Sequence, residues 1–306
     1  MFLPRLASAL LVVVGVACLV FLLIHLIPGD PVDVMLGETA RPADKEALRQ
    51  ALGLHLPLHQ QLFQYFKGLI TIDCGRSILS GRPVSSLIRE RIPATVELGL
   101  AALAVAIMMA FPLGILAAMR HKTVVDFSAM GFALLGVSIP NFWLGPLLIM
   151  VGALWLGWFP VSGRDGWASL VLPALTLGTA LAAILSRMIR SSLLEVIHED
   201  FVRTARAKGV SEWKVITHHG LRNALLPVIT VLGLQLGALL GGAVITETVF
   251  SWPGVGLLTV EAIQRRDYPV VQASVLCISL LYVLINFLTD LVYYWIDPRV
   301  SFQAKP

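Results

Sequence analysis

The residues able to do chemistry are concentrated between two apolar runs, in Glu199-Asp-Phe-Val-Arg-Thr-Ala-Arg-Ala-Lys-Gly209-Val-Ser-Glu-Trp-Lys-Val-Ile-Thr-His-His-Gly-Leu-Arg-Asn-Ala-Leu-Leu-Pro227. Cations, hydroxyls and amides dominate the stretch, so its chemistry is ionic and hydrogen-bonding contact. Its apolar residues recur at helical spacing: Leu194, Ile197, Phe201 and Ala205, then Val210, Trp213 and Ile216. Gly209 divides two short helices, and Ser211 is placed to N-cap the second. A polar insert of this length cannot sit in hydrocarbon. It is either a solvated loop lying on lipid headgroups or a docking element for a cytosolic partner.

Catalytic signatures are missing. The sequence contains no Gly-x-x-x-x-Gly-Lys-Ser/Thr loop to cradle ATP phosphates, no His-Glu-x-x-His and no Gly-x-Ser-x-Gly. His218 and His219 are adjacent and point to different helix faces. Cys18, Cys74 and Cys277 are too scattered for a metal site or a disulfide framework. No catalytic or metal-ligating set is therefore expected, and any ATPase is another polypeptide.

The elements that position the polar stretch are membrane spans. Of the 306 residues, 57% are hydrophobic and 14% charged, and the mean hydropathy is +0.81. A soluble domain carries roughly a quarter charged residues. Six apolar segments approach the ~20 residues a bilayer requires: 9–27, 94–118, 129–157, 170–190, 228–249 and 273–296. The expected class is all-α and polytopic. The third run holds Pro140 and Pro146, which predicts a kink, a tilt or a re-entrant turn. The first run lacks a small-x-small cleavage site and reads as an uncleaved anchor.

Lys and Arg in the short loops set the orientation. Arg5, Arg120, Lys122, Arg187, Arg190, the basic stretch, Arg299 and Lys305 fall on one side; Arg164, Arg265 and Arg266 fall on the other. Both termini are expected to be cytoplasmic. The net charge of +4 belongs to this loop bias and calls for no nucleic acid. Residues 28–93 carry eight Lys or Arg on the outer side, which a long loop tolerates. Within them, Arg41–Gly53 predicts a short helix, with Pro42 in its first turn and Gly53 as its stop. Leu58, Leu62, Phe66 and Leu69 predict a second, so the segment reads as a small helical cap. Three parts result: 1–27, the N-terminal end and first span; 28–93, external; and 94–306, the core with its cytoplasmic loop 191–227.

Polar groups within the spans are few. Asn141 and Gln235 either hydrogen-bond between helices or face a pathway. Glu247 lies near the outer end of the fifth span, where an acid is a functional candidate or a structural one. Glu97 complements a helix N-terminus. Gly233, Gly237, Gly241 and Gly242 give the fifth span a small-residue face, for close packing or for a pathway.

The polar stretch resembles the cytoplasmic loop of ABC-importer permeases, in the form found in the peptide and nickel uptake family. The matching residues are Arg203, Thr204, Ala205, Arg206, Ala207, Lys208 and Gly209, then Leu221, Arg222, Asn223 and Pro227. The wider superfamily has Glu-Ala-Ala where this chain has Arg203-Thr-Ala205. The resemblance covers nearly the whole chain: His25–Pro31, Arg82-Pro-Val, Ile92–Leu98, Gly136–Trp143, Thr246–Gly256, Arg266–Gln272 and Asp297-Pro-Arg299 all look like the family's. Ile72-Asp-Cys74-Gly departs from it, where relatives have Gly-Asp-Leu or Gly-Asp-Phe then Gly.

The resemblance implies a type I ABC importer permease in a bacterial inner membrane. Its implied partners are a second homologous permease, two cytosolic ATPase subunits that hold ATP and Mg, and an external solute-binding protein. The chain itself would bind no cofactor and would import di- or oligopeptides by alternating access; glutathione, nickel and metal chelates are the family's other cargoes. An autonomous secondary carrier or membrane enzyme is the reading from a different class. It calls for paired broken helices with buried acids, or for a nucleophile with its base, and neither constellation is visible.

Overall fold

A computed structural model describes residues 2–26, 31–37, 39–51 and 53–296. The expected exit from the first span, His25–Pro31, lies partly outside them, and Asp297-Pro-Arg299 wholly so. Thirteen α-helices are described: α1 Phe2–Leu26, α2 Pro31–Leu36, α3 Pro42–Ala51, α4 Leu58–Ile70, α5 Val84–Met119, α6 Val124–Ser138, α7 Asn141–Leu148, α8 Trp167–Val196, α9 Asp200–Ala207, α10 Glu212–Lys214, α11 Leu221–Val249, α12 Val255–Gln264 and α13 Tyr268–Ile296. α7 continues as a π-helical stretch over Ile149–Trp155, and a second one, Val215–Gly220, joins α10 to α11. Among the described residues there is no strand, only an isolated bridge between Arg76 and Pro83.

Among the described residues, four helical stretches are long and apolar enough to cross a membrane: Val84–Met119, Trp167–Val196, Glu212–Val249 and Tyr268–Val292. α6 and α7 form a fifth if counted as one span, bent by 105° at their break. Proline chemistry explains the bend. Ile139 precedes Pro140 and is extended (φ −90°, ψ 115°), as the residue before a proline is driven to be. The run at 129–157, expected to kink, tilt or re-enter at its prolines, is thus a broken pair starting at Val124. α5, at 36 residues, measures about 54 Å and exceeds the ~30 Å of hydrocarbon. Its first turns, with Arg89, Glu90 and Arg91, extend beyond the apolar run.

The chain divides into two compact units. One comprises residues 1–95 and 253–283. Its core gathers Val84, Ile88, Leu258, Ala262, Val270, Val271 and Ala273. The buried carboxylate of Asp267 accepts from Ser77 Oγ at 2.6 Å and from the Ile78 N–H at 3.2 Å. α3 and α4 form near where the sequence predicts them, and α4 rests on α1: His25 Nε2 lies 3.1 Å from Gln61 Oε1, and the Phe21 and Tyr65 rings are 5.6 Å apart. Burial pushes the Tyr65 hydroxyl up to about 12.

The other unit comprises residues 96–252 and 284–306 and is built around α8. Leu172, Leu177, Leu181, Leu185, Ile189 and Leu193 are all buried along that helix. Between helices in lipid, close packing replaces the hydrophobic effect as the adhesive. α5 and α8 meet where neither can carry a side chain. A Cβ on Gly178 would lie 2.6 Å from the Ala102 carbonyl oxygen, and one on Gly114 would lie 2.7 Å from Ile189 Cβ.

Candidate functional site

The basic stretch folds as a hairpin on the end of α8. α9 closes with a Schellman motif: the Val210 N–H donates to the Ala205 carbonyl at 3.3 Å and the Gly209 N–H to the Arg206 carbonyl at 2.9 Å. This geometry needs a left-handed residue, and Gly209 has φ +75°. Val210 then folds back onto the hairpin's own core of Val202, Ala205 and Val215, with Val196 also packed against it. Glu212 ties the two arms together by accepting from Arg206 Nη2 at 2.6 Å and Nε at 3.0 Å. That hydrogen-bonded pairing raises the pKa of the Arg206 guanidinium above its ordinary value. Ser211 occupies the N-cap position, but its side chain makes no capping hydrogen bond.

The apolar stripe is split between two faces. Ala205 (7% exposed) and Ile216 face inward, whereas Phe201 (42%) and Trp213 (57%) project outward. The inner face is completed by Val202 and Val215, one residue out of phase with the stripe read from the sequence. Arg203 is exposed, 3.5 Å from Asp200, and Thr204 Oγ1 donates to the Asp200 carbonyl. Ala207, Lys208 and Gly209 are exposed at the tip. Leu221 is half-buried where α11 begins, Arg222 and Asn223 are exposed, and Pro227 lies within α11. Asn223 Nδ2 donates to the His219 carbonyl at 3.0 Å. His218 and His219 stand edge to face, ring centroids 5.2 Å apart.

An ion pair between a buried carboxylate and a half-buried guanidinium lies near the base of this hairpin. Asp126, in the first turn of α6, accepts from Arg190 of α8 through Nε at 2.6 Å and Nη2 at 2.8 Å. The two residues are 64 positions apart, and no local spacing pairs them. This contact puts the α5–α6 turn and the end of α8 on one side, as alternating spans require. Elsewhere in the unit, Arg164 Nε donates to Glu97 Oε2 at 2.8 Å and its guanidinium stacks 5.8 Å from the Trp252 ring. Gly163 N–H donates to the Phe250 carbonyl.

Asn141 is brought to the fifth span. It opens α7, and its Nδ2 would lie 3.1 Å from a Cβ on Gly242 of α11. Gln235 is half-buried two turns before Gly242 on the same face of α11, about 10 Å along the axis. Asn141 and Gln235 thus share a helix face at different depths. Glu247 is fully buried (0% exposed), and its carbonyl accepts from the Trp252 N–H at 2.8 Å; its side chain faces no opening in this conformation.

Residues 110–302 match the family described as the inner membrane component of binding-protein-dependent transport systems, and residues 1–99 match the N-terminal part of such components. The chain is an ABC-importer permease of the peptide and nickel uptake family. This permease is 44% identical over 301 residues to the glutathione transport system permease protein GsiC of Salmonella paratyphi A, covering 98% of each chain. It is 44% identical over 288 residues to GsiC of Escherichia coli K12, covering 94% of each. Its fold is that of a chain of the inward-facing MetNI methionine ABC transporter, at TM-score 0.59 and 18% identity, covering 69% of this chain and 96% of that one. A chain of an amino acid ABC transporter aligns at TM-score 0.54 and 14% identity, over 69% and 94%. The permease is a multi-pass inner-membrane transport component and not an enzyme, and its family works with an ATPase and a substrate-binding protein.

Proposed function

We propose that this permease imports short peptides, glutathione among them, and that residues 191–227 couple it to ATP hydrolysis. One observation carries the coupling assignment: the hairpin buries an apolar core of its own and still presents Phe201 and Trp213 outward. A solvated loop has no need of two exposed aromatics on a pre-formed hairpin. They meet the requirement for an apolar anchor in a partner's pocket. The substrate reading is supported by the 44% identity to the glutathione permeases over nearly the full chain.

In the working assembly this chain pairs with a second, homologous permease, two cytosolic ATPase subunits and an external solute-binding protein. ATP and Mg stay on the ATPases, and no cofactor binds here. Six spans cross the membrane, with α1 as the first and the α6–α7 pair as the third. Both termini and the hairpin are cytoplasmic, and residues 28–93 are external. ATP-driven closure of the ATPases moves the hairpins and reopens the cavity outward. Asn141 of α7, which lies against Gly242, and Gln235 on the same face of α11 are its polar groups, with Glu247 as the third candidate.

The assembled transporter in proteoliposomes, supplied with ATP and binding protein, is expected to accumulate radiolabelled glutathione, with unlabelled short peptides competing. Asn141→Leu and Gln235→Leu should leave assembly and basal ATP hydrolysis intact and impair uptake. ATP hydrolysis without accumulation of glutathione or of a labelled dipeptide would refute the substrate reading. Normal uptake in both variants would remove the pathway role.

A further inference from the structure

We propose that the Asp126–Arg190 ion pair is a positioning element for energy coupling, which makes the α5–α6 turn move with the helix that carries the hairpin. The proposal rests on the reading of residues 191–227 as the ATPase-docking element.

Asp126 is 2% exposed, and both of its carboxylate oxygens are engaged. The Arg190 guanidinium forks onto both oxygens, the Lys122 N–H donates to Oδ2 at 3.0 Å, and His121 Nδ1 lies 3.2 Å from the same oxygen. His121 Nδ1 also lies 3.2 Å from Arg190 Nη2. The turn is shaped to permit this. Lys122 adopts φ +61°, a conformation a lysine does not choose unaided, and there its N–H points at Asp126. The Thr123 N–H closes the turn onto the Arg120 carbonyl at 3.1 Å. A bidentate fork fixes angle as well as distance. Apolar contact is non-directional and sets no comparable angle.

The location turns this restraint into a lever. α8 runs on from Arg190 to Val196, about 9 Å, and then turns into α9. The hairpin's base rests on the same stretch: a Cβ on Gly220 would lie 3.6 Å from Leu193 Cδ2. At the other end, α6 leads through the break at Pro140 directly to Asn141, whose amide lies against Gly242. Deeper in the unit, α6 and α8 pack closely, with Gly136 beside Ala183 and the Thr179 carbonyl. The fork is therefore the directional link by which a displaced hairpin carries α6, and Asn141 with it.

The test uses the complete transporter with spin labels at Val124 and Ser191, both exposed, in a background free of native cysteines. With the fork intact, the distance between labels is expected to stay the same in the nucleotide-free and ATP–vanadate-trapped complexes. In Asp126→Asn it shifts or broadens on trapping, and glutathione uptake per ATP falls about tenfold, within the range for residues along a coupling path. Asp126→Asn combined with Arg190→Gln should be no worse than the worse single variant, because the fork acts as one unit. A purely structural role would lower the yield of complex and leave distance and uptake per ATP unchanged. Where Asp126→Asn does not assemble, Asp126→Glu keeps the charge on a longer arm and should show the same shift more weakly. An unchanged distance in whichever variant assembles, or single losses that multiply in the double variant, would overturn the proposal. A hairpin that gives no cross-link to an ATPase subunit in the unmodified transporter would refute the docking reading instead, and the distance measurement stands apart from it because it reads only α6 against α8.

Discussion

Gly209 gives the sharpest separation of backbone conformation from side-chain bulk. It sits at the left-handed position of the Schellman turn, with φ +75°, and an added Cβ would have nothing within 4 Å. Within this chain, substitution therefore costs only backbone strain, about 1–2 kcal/mol for an ordinary L residue. The competing stabilisers are small: an exposed Arg206–Glu212 pair worth about 0.2–1 kcal/mol and a compact core of five aliphatic residues. A loss of that size shifts the hairpin's local equilibrium by a factor of about 5–30. Asn tolerates the left-handed region better than Ala although it is larger, and Val tolerates it worst. Binding-protein-stimulated ATP hydrolysis and uptake should therefore rank Gly209, then Asn, then Ala, then Val. If Asn does worse than Ala, bulk at the partner surface governs the position and the conformational argument fails. If all three variants match the parent, the turn is not needed for coupling.

Three further outcomes follow from the packing. Trp213→Ala removes an exposed side chain outside the hairpin core, so helicity and thermal stability should hold within about 0.5 kcal/mol while transport-linked ATP hydrolysis is lost; retained coupling would contradict the anchor role. Gly178→Ala places a Cβ 2.6 Å from the Ala102 carbonyl oxygen and should lower the unfolding temperature of the detergent-solubilised protein, by the equivalent of about 1–3 kcal/mol. Gly241→Ala meets nothing within 4 Å and should be neutral or stabilising; equal effects would refute the close α5–α8 contact. Burial pushes the Cys74 thiol up, with the nearby Asp73 carboxylate adding to the shift. A raised pKa means less thiolate near neutrality, so an impermeant maleimide should label Cys74 slowly from outside, with a rate rising about tenfold per pH unit below the pKa. Labelling at the rate of a free exposed thiol would contradict that burial.

Much of this architecture is legible in the sequence because the bilayer imposes it. The apolar runs at 94–118, 170–190, 228–249 and 273–296 fall inside α5, α8, α11 and α13. In the third run Pro140 gives away a break, but hydropathy carries no direction, and the 105° turn shows only in the structure, where Ile139 is extended. The hairpin's existence is readable from Gly209 and its flanking helical periods. Its phase is not, because Val202 and Phe201 are both apolar neighbours, and burial was decided by Val215 across the turn. The π-helical stretch at Val215–Gly220 adds an irregularity that a 3.6-residue period does not anticipate. Opposite charges at Arg206 and Glu212 flanking a glycine turn were a usable signal for the ion pair that ties the hairpin's arms. Asp126 and Arg190, 64 residues apart, left no local trace.

The central claim is that the hairpin tip meets an ATPase subunit. A photo-activated cross-linking residue at position 213 of the full assembly tests it directly, with one at Trp158 as the comparison. Trp158 is exposed in the segment between α7 and α8, which lies outside in the proposed orientation. The account predicts a covalent adduct between position 213 and an ATPase subunit, altered in yield when ATP–vanadate is trapped, and none from position 158. An ATPase adduct from position 158 with none from position 213 would contradict it.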